Sequence, residues 1–212
     1  MDSPSHPGAS IAARLVETGR RLERRGWALG TSGNFSAVLA RDPLRLAITA
    51  SGIDKASLTE NDIVEVDERA QLVNPKGDGR PSAEAHLHVA VVKARGAGAV
   101  LHTHSVWNTV LTDAAEGDEI SIRGYEMLKG LAGVATHEHE ERVPIVENAQ
   151  DMPKLAREVE AILAERPDAH AFLLRRHGLY TWGRDLSEAV RHVEILEFLF
   201  EALGRSRPKQ GD

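Results

Sequence analysis

The chain has 212 residues, 42% apolar and 27% charged, with a formal net charge of −6 and no cysteine. That suits one soluble domain with a full-sized core; it offers no electrostatic footprint for nucleic acid and excludes disulfides and thiolate ligands, so any zinc must sit on N and O donors. No apolar run is long enough to cross a bilayer, and residues 1–8 have neither the basic region nor the apolar stretch of a secretory signal, so a cytoplasmic setting is expected.

Residues 1–9, rich in Pro, Ser and Gly, and the polar segment 205–212 read as flexible tails, which leaves 10–204 as a single domain. From Ser10, apolar residues at Ile11, Leu15 and Leu22 form a helical stripe that Gly26 ends. A loop over 30–34 leads into a strand over 35–40, a turn at Asp42-Pro43, a second strand over 45–49 and an alternating third over 62–66. The loop 74–81 precedes a helix that Ser82 is placed to cap, running to Lys93. A strand over 99–104 follows, and Ser105 caps the helix after it. A short helix over 125–130, an extended run over 142–146 and an amphipathic helix over 152–166 come next. A strand over 171–177, a sharp turn at Gly178 into 179–182 and a last helix over 187–203 complete the order. Helices on both sides of a mostly antiparallel sheet, a three-layer α/β/α arrangement, fit this α/β order.

His102 and His104 carry the most information. They close an apolar strand one residue apart, and side chains at i and i+2 of a strand share a face, so the two imidazoles converge on one point, as at a divalent metal. His86 and His88 have the same spacing but lie on a helix, where i and i+2 diverge, and read as surface or packing residues. His177, at the end of another strand, is the best third ligand. Three neutral imidazoles without a thiolate describe a catalytic zinc, with a position left open for substrate, better than a structural one.

Glu84, in the first turn of its helix, reads on spacing alone as a complement to the helix dipole, and Glu126 as part of a solvated face. Thr31-Ser32-Gly33-Asn34, Thr49-Ala50-Ser51-Gly52 and Pro81-Ser82 are ordinary turns taken singly. Beside a metal motif and Lys55 they point to a phosphorylated substrate held by backbone N–H groups. The stretch from His137 to Glu141 resembles a metal motif but lacks any period and reads as a solvated loop; His6, His170 and His192 receive no role.

These residues together resemble the class II aldolase/adducin family over 11–203, through Thr31-Ser32-Gly33-Asn34, Thr49-Ala50-Ser51-Gly52, Pro81-Ser82-Ala83-Glu84, His102-Thr103-His104 and Arg176-His177-Gly178, in the family's order. The resemblance implies one Zn2+ per subunit on His102, His104 and His177, and phosphate near Gly33, Asn34, Ser51, Gly52 and Ser82. A second serine of that phosphate site is Ala83 here. In the family's aldolases the residue matching Glu84 is the catalytic acid/base; in its dehydratases the residue matching Glu126 takes that role. A homotetramer with sites near subunit boundaries is implied. The segments 51–55, 124–130, 143–148 and 175–183 are most similar to a branch that dehydrates a phosphorylated methylthio ketose. A sugar-phosphate aldolase or pentulose-phosphate 4-epimerase would share the metal ligands. A metal-free binding module, as in adducin, is disfavoured because all three histidines are present.

Overall fold

The computed structural model describes residues 9–73, 75 and 79–206. Chain order gives α1 (Ile11–Arg24), β1 (Asn34–Arg41), β2 (Leu44–Thr49), β3 (Ile63–Asp67), β4 (Leu72–Val73), α2 (Ala85–Arg95), β5 (Ala99–Thr103), α3 (Val106–Asp113), β6 (Glu119–Arg123), β7 (Glu140–Val146), α4 (Met152–Glu165), β8 (Ala171–Leu174), β9 (Gly178–Gly183) and α5 (Leu186–Ser206). Three short 3-10 turns lie between them, among them Glu126–Gly130, where the sequence predicts a short helix. The strands form one sheet in the order β4-β3-β2-β1-β5-β9-β8-β7-β6. Among the described residues every pairing is antiparallel except β7 with β8.

Strand alternation sorts the core into two faces. Val100, Phe172, Tyr180 and Trp182 pack with α2 and α4. Their neighbours Leu173 and Leu179 pack with α3 and α5, and Phe35 and Leu101 with α1 and the start of α5. The expected three layers result, with β5 and β9 at the centre of the sheet. Ser10 and Ser105 cap α1 and α3 through their hydroxyls.

The structure corrects the sequence reading in four places. Ser82 does not cap α2: the helix begins at Ala85, Glu84 is its cap residue, and the Ser82 hydroxyl accepts from Glu84 N–H at 3.2 Å in the turn before it. The short edge strands β4 and β6 are not anticipated by the sequence pattern. Residues 205 and 206 continue α5; the rest of the two expected tails, 1–8 and 207–212, and most of 74–78, lie outside the described residues. The chain turns over 175–177, with Arg176 at φ +55°, and Gly178 already belongs to β9.

Candidate metal centre and active site

β5 sets the centre. His102 pairs with Asn34 of β1 on one side and Tyr180 of β9 on the other. Its ring lies flat on Tyr180 (centroids 3.9 Å apart), which in turn stacks on Phe172 (4.7 Å). Its Nδ1–H donates to the Leu179 carbonyl at 2.9 Å, which leaves the lone pair on Nε2. His104, just past the strand, is held by its backbone N–H on the Trp27 carbonyl (2.8 Å). Its Nε2 comes to 2.8 Å from His102 Nε2, as the shared-face argument requires. His177 enters from the 175–177 turn, and its Nδ1 donates to Asn148 Oδ1 at 3.3 Å, again turning Nε2 inward.

Glycine at 178 has a different cause from the expected turn. A Cβ there would sit inside the van der Waals envelope of the Thr103 carbonyl oxygen and 2.9 Å from His102 Cε1. Gly178 lets β9 approach β5 directly behind the ligands. Gly33 is constrained likewise: φ is +72°, and a Cβ would lie 2.7 Å from the His102 carbonyl oxygen.

Glu84 completes the cluster, which its sequence position did not announce. Its Oε1 lies 3.1 Å from His177 Nε2 and 3.6 Å from His102 Nε2. Burial works to raise the carboxyl's pKa, but the His102 and His177 rings beside it outweigh burial and hold the group well below the usual carboxylate range. Oε2 accepts from Asn34 Nδ2 at 2.6 Å. A carboxylate only accepts, so Asn34 must turn its nitrogen to Glu84 and its oxygen to His88. His88 Nε2–H therefore donates to Asn34 Oδ1, and the bare Nδ1 accepts the Ser36 hydroxyl at 2.7 Å. His88 is fully buried, and burial pushes its pKa down to about 3, so the relay keeps this polarity at neutral pH. The packing role read for His88 is correct, but its partnership with Asn34 and Glu84 was missed. The available signal was its place four residues after Glu84, one helical turn on.

The donors fit a divalent first-row cation. Three imidazole nitrogens and a carboxylate oxygen lie within 4.8 Å of one another. Two of the rings have tautomers fixed from outside, with lone pairs aimed at a common point, as ligand imidazoles require. Burial, then His102 and His177, lowers the His104 pKa to about 3 and keeps that ring in its neutral, ligating form.

The Ser/Gly loops gather beside this cluster. Ala50 forms a bridge to Pro81, and Ser51 N–H donates to the Arg80 carbonyl at 2.8 Å, so Ser51 and Gly52 stand next to Ser82. Lys55 is buried and spends two N–H donors on the carbonyls of Thr31 (3.1 Å) and Ile53 (2.8 Å). Burial lowers its pKa against the attraction of Asp54 and Glu84. It is a strut between the Gly33-Asn34 and Ser51-Gly52 loops rather than a free cation. Glu126 is not brought to the cluster. Its side chain is 71% exposed, and its partners are Lys129 (2.5 Å) and His137 (3.9 Å). The expected solvated loop 137–141 is also corrected: Glu140 opens β7, and the Glu141 side chain is buried.

Fold and site together define a class, and the chain belongs to the class II aldolase and adducin family: the profile of the Class II Aldolase and Adducin N-terminal domain matches residues 13–203. It is 44% identical over 195 residues to a methylthioribulose-1-phosphate dehydratase of Marinobacter nauticus, covering 91% of this chain and 92% of that one. It is 44% identical over 192 residues to the protein of that name from Methylococcus capsulatus, covering 90% and 91%. Among solved structures, L-fuculose-1-phosphate aldolase from Thermus thermophilus superposes with a TM-score of 0.70 at 26% identity, over 94% of this chain and 95% of that chain. The resemblance read from the five motifs is thus borne out.

Proposed function

We propose that this chain is a methylthioribulose-1-phosphate dehydratase, a lyase that removes water from 5-methylthioribulose 1-phosphate to give 5-methylthio-2,3-dioxopentyl phosphate, a step of methionine salvage. The observation that carries the reading is the centre of three inward-facing imidazoles and one ionised carboxylate beside the Ser/Gly loops, in a chain 44% identical to relatives of that name. His102, His104 and His177 would hold one zinc ion. When bound, zinc supplies Lewis-acid polarisation of the substrate's carbonyl and of the adjoining hydroxyl.

The remaining work falls to the chain. Backbone N–H groups near Gly33 and Gly52, with Asn34 and the hydroxyls of Ser51 and Ser82, surround the phosphate, and Lys55 holds the loops at one spacing. A carboxylate removes the C3 proton, and the C4 hydroxyl leaves as water once protonated. The resulting enol returns its proton to carbon and becomes the diketone. Glu84 is the carboxylate in reach within one chain. Glu126, exposed on its own subunit, serves as the acid/base across a boundary in a homotetramer. A cytoplasmic setting goes with this metabolite. Among the described residues no helix is long and apolar enough to cross a membrane.

Glu84 beside the imidazoles also favours a second reading, a sugar-phosphate aldolase, since the family's aldolases place their acid/base there. One assay separates the two. Metal-replete protein is given 5-methylthioribulose 1-phosphate and the products are weighed. The dehydratase reading expects loss of one water, abolished by chelation and restored by zinc. An inert substrate with zinc bound overturns it, and cleavage of fuculose 1-phosphate moves the assignment to aldolase. Glu126→Gln should keep zinc and fold but lose dehydration, and near-normal turnover would remove Glu126 from the mechanism.

A further inference from the structure

His139, Glu141 and His170 meet at the other end of β8 from His177, and the chemistry above uses none of them. We propose that these three side chains form a second site for a divalent transition-metal cation such as zinc.

The geometry repeats, on different residues, what makes the first centre a ligand set. Glu141 Oε2 lies 2.9 Å from His139 Nε2 and 2.9 Å from His170 Nδ1. The three donor atoms all fall within 4.8 Å of one another. Two of the side chains are aimed from outside. His170 Nε2–H donates to the Ala132 carbonyl at 2.8 Å, so the neutral ring carries its lone pair on Nδ1, facing inward. His102 is held on Leu179, and His177 on Asn148, by the same device with the two ring nitrogens exchanged. Glu141 Oε1 is occupied by the backbone N–H of His170 at 3.0 Å, which turns Oε2 toward the two imidazoles. The His170 carbonyl in turn accepts the Thr181 hydroxyl at 2.7 Å, fixing the backbone behind the ring. Such outer hydrogen bonds set ligand tautomer and orientation at metal sites.

Burial adds a second argument. The Glu141 side chain is 1% exposed, and a carboxylate that deep requires positive charge beside it. Two imidazoles and one carboxylate are the protein ligands of an open zinc site, which keeps a further position for water or a ligand. That position has room here, because His139, Glu141 and His170 line a cavity whose wall also carries Glu119, Arg142 and Arg166. Sequence alone hides the site: His139 and Glu141 sit in a polar stretch, and the third donor comes 29 residues after Glu141.

The competing occupant is a proton. A His170 imidazolium would bridge Ala132 and Glu141 with no metal, and counting metal separates the two. Full-length protein is stripped with chelator and titrated with zinc, with cobalt(II) as a spectroscopic stand-in, and bound metal is counted by elemental mass spectrometry after gel filtration. The proposal expects two equivalents in the unmodified chain. His139→Ala should weaken one of them at least tenfold and leave the other, and His104→Ala should do the converse. Glu141→Gln should match His139→Ala. Should the buried variant fail to fold, the half-exposed His139 carries the test alone. A single equivalent, removed by His104→Ala and untouched by His139→Ala, overturns the proposal. So do two equivalents that survive His139→Ala. Because the readout is metal content, the result stands apart from whether the chain dehydrates the proposed ketose.

Discussion

Replacing His88 by Leu tests the relay behind Glu84. Leucine keeps the bulk of the ring inside the α2 face of the core but removes one donor and one acceptor. Asn34 Oδ1 then loses its N–H, and the Ser36 hydroxyl, fully buried, loses the ring nitrogen it donates to. Each buried polar group left unpaired costs about 1–3 kcal/mol, so the pair costs about 2–6 kcal/mol. In a domain of this size that lowers the melting temperature on the order of 5–20 °C. His88→Gln should recover part of the loss, because its amide N–H can still reach Asn34 Oδ1. Ser36→Ala should cost about 1–3 kcal/mol, since it leaves one buried atom, His88 Nδ1, unpaired but keeps the Asn34 bond intact. The catalytic effect is separate from the stability effect. Without a donor at position 88 the Asn34 amide still keeps its N–H on Glu84 Oε2, 2.6 Å away, but loses the bond that fixes its far side. A side chain held at one end only lets Glu84 shift, and a displacement near 1 Å at a reacting group costs about a hundredfold in rate. We therefore expect kcat on the methylthio ketose phosphate to fall about a hundredfold in His88→Leu and much less in His88→Gln, both assayed well below their melting points with metal content unchanged. If His88→Leu melts within about 0.5 kcal/mol of the unmodified protein, or if Leu and Gln variants turn over alike, the directional relay is refuted.

Three other consequences follow from the same geometry. Gly178→Ala pushes β9 off the Thr103 carbonyl and disturbs the Leu179–His102 hydrogen bond, so the metal of the first centre should bind at least tenfold more weakly; an unchanged zinc affinity would show that the close approach is slack. Glu197 is buried against Thr103 and Asn108, and burial raises its pKa against those hydrogen bonds, so the folded chain holds the proton more tightly than the unfolded one. Its contribution is then fully present below the ordinary carboxyl value and is lost as pH rises through the raised value; Glu197→Gln should flatten that decline in melting temperature, and parallel curves would contradict it. Lys55→Met removes the strut between Thr31 and Ile53 while keeping the apolar stem, and should raise KM for the phosphorylated substrate about tenfold or more with a smaller change in kcat; the reverse split would place Lys55 in the chemistry.

What was legible in the sequence was what a single element's period can carry. The i and i+2 spacing at the end of β5 placed His102 and His104 on one face, and Ser10 and Ser105 marked two helix starts. What escaped was decided between elements. From its own element Glu84 looks like an ordinary helix-start carboxylate, and only the family resemblance marked it; laying α2 on β1 supplies the physical reason, since Asn34 and His177 converge on it from positions 50 residues before and 93 after. Glu141 sits in a polar stretch, and its burial follows from pairing β7 with β8, which brings His170 onto it. The two-residue β4 is too short to show any alternation. Gly178 is the instructive intermediate, since the residue was singled out correctly and given the wrong cause. A glycine at a strand end ordinarily marks a turn, yet here the turn's positive φ falls on Arg176, and the missing side chain at 178 is needed because another strand's carbonyl passes where it would stand. Local propensity can report that a side chain is absent; only the neighbouring strand explains why, and in this fold that neighbour carries the metal ligands.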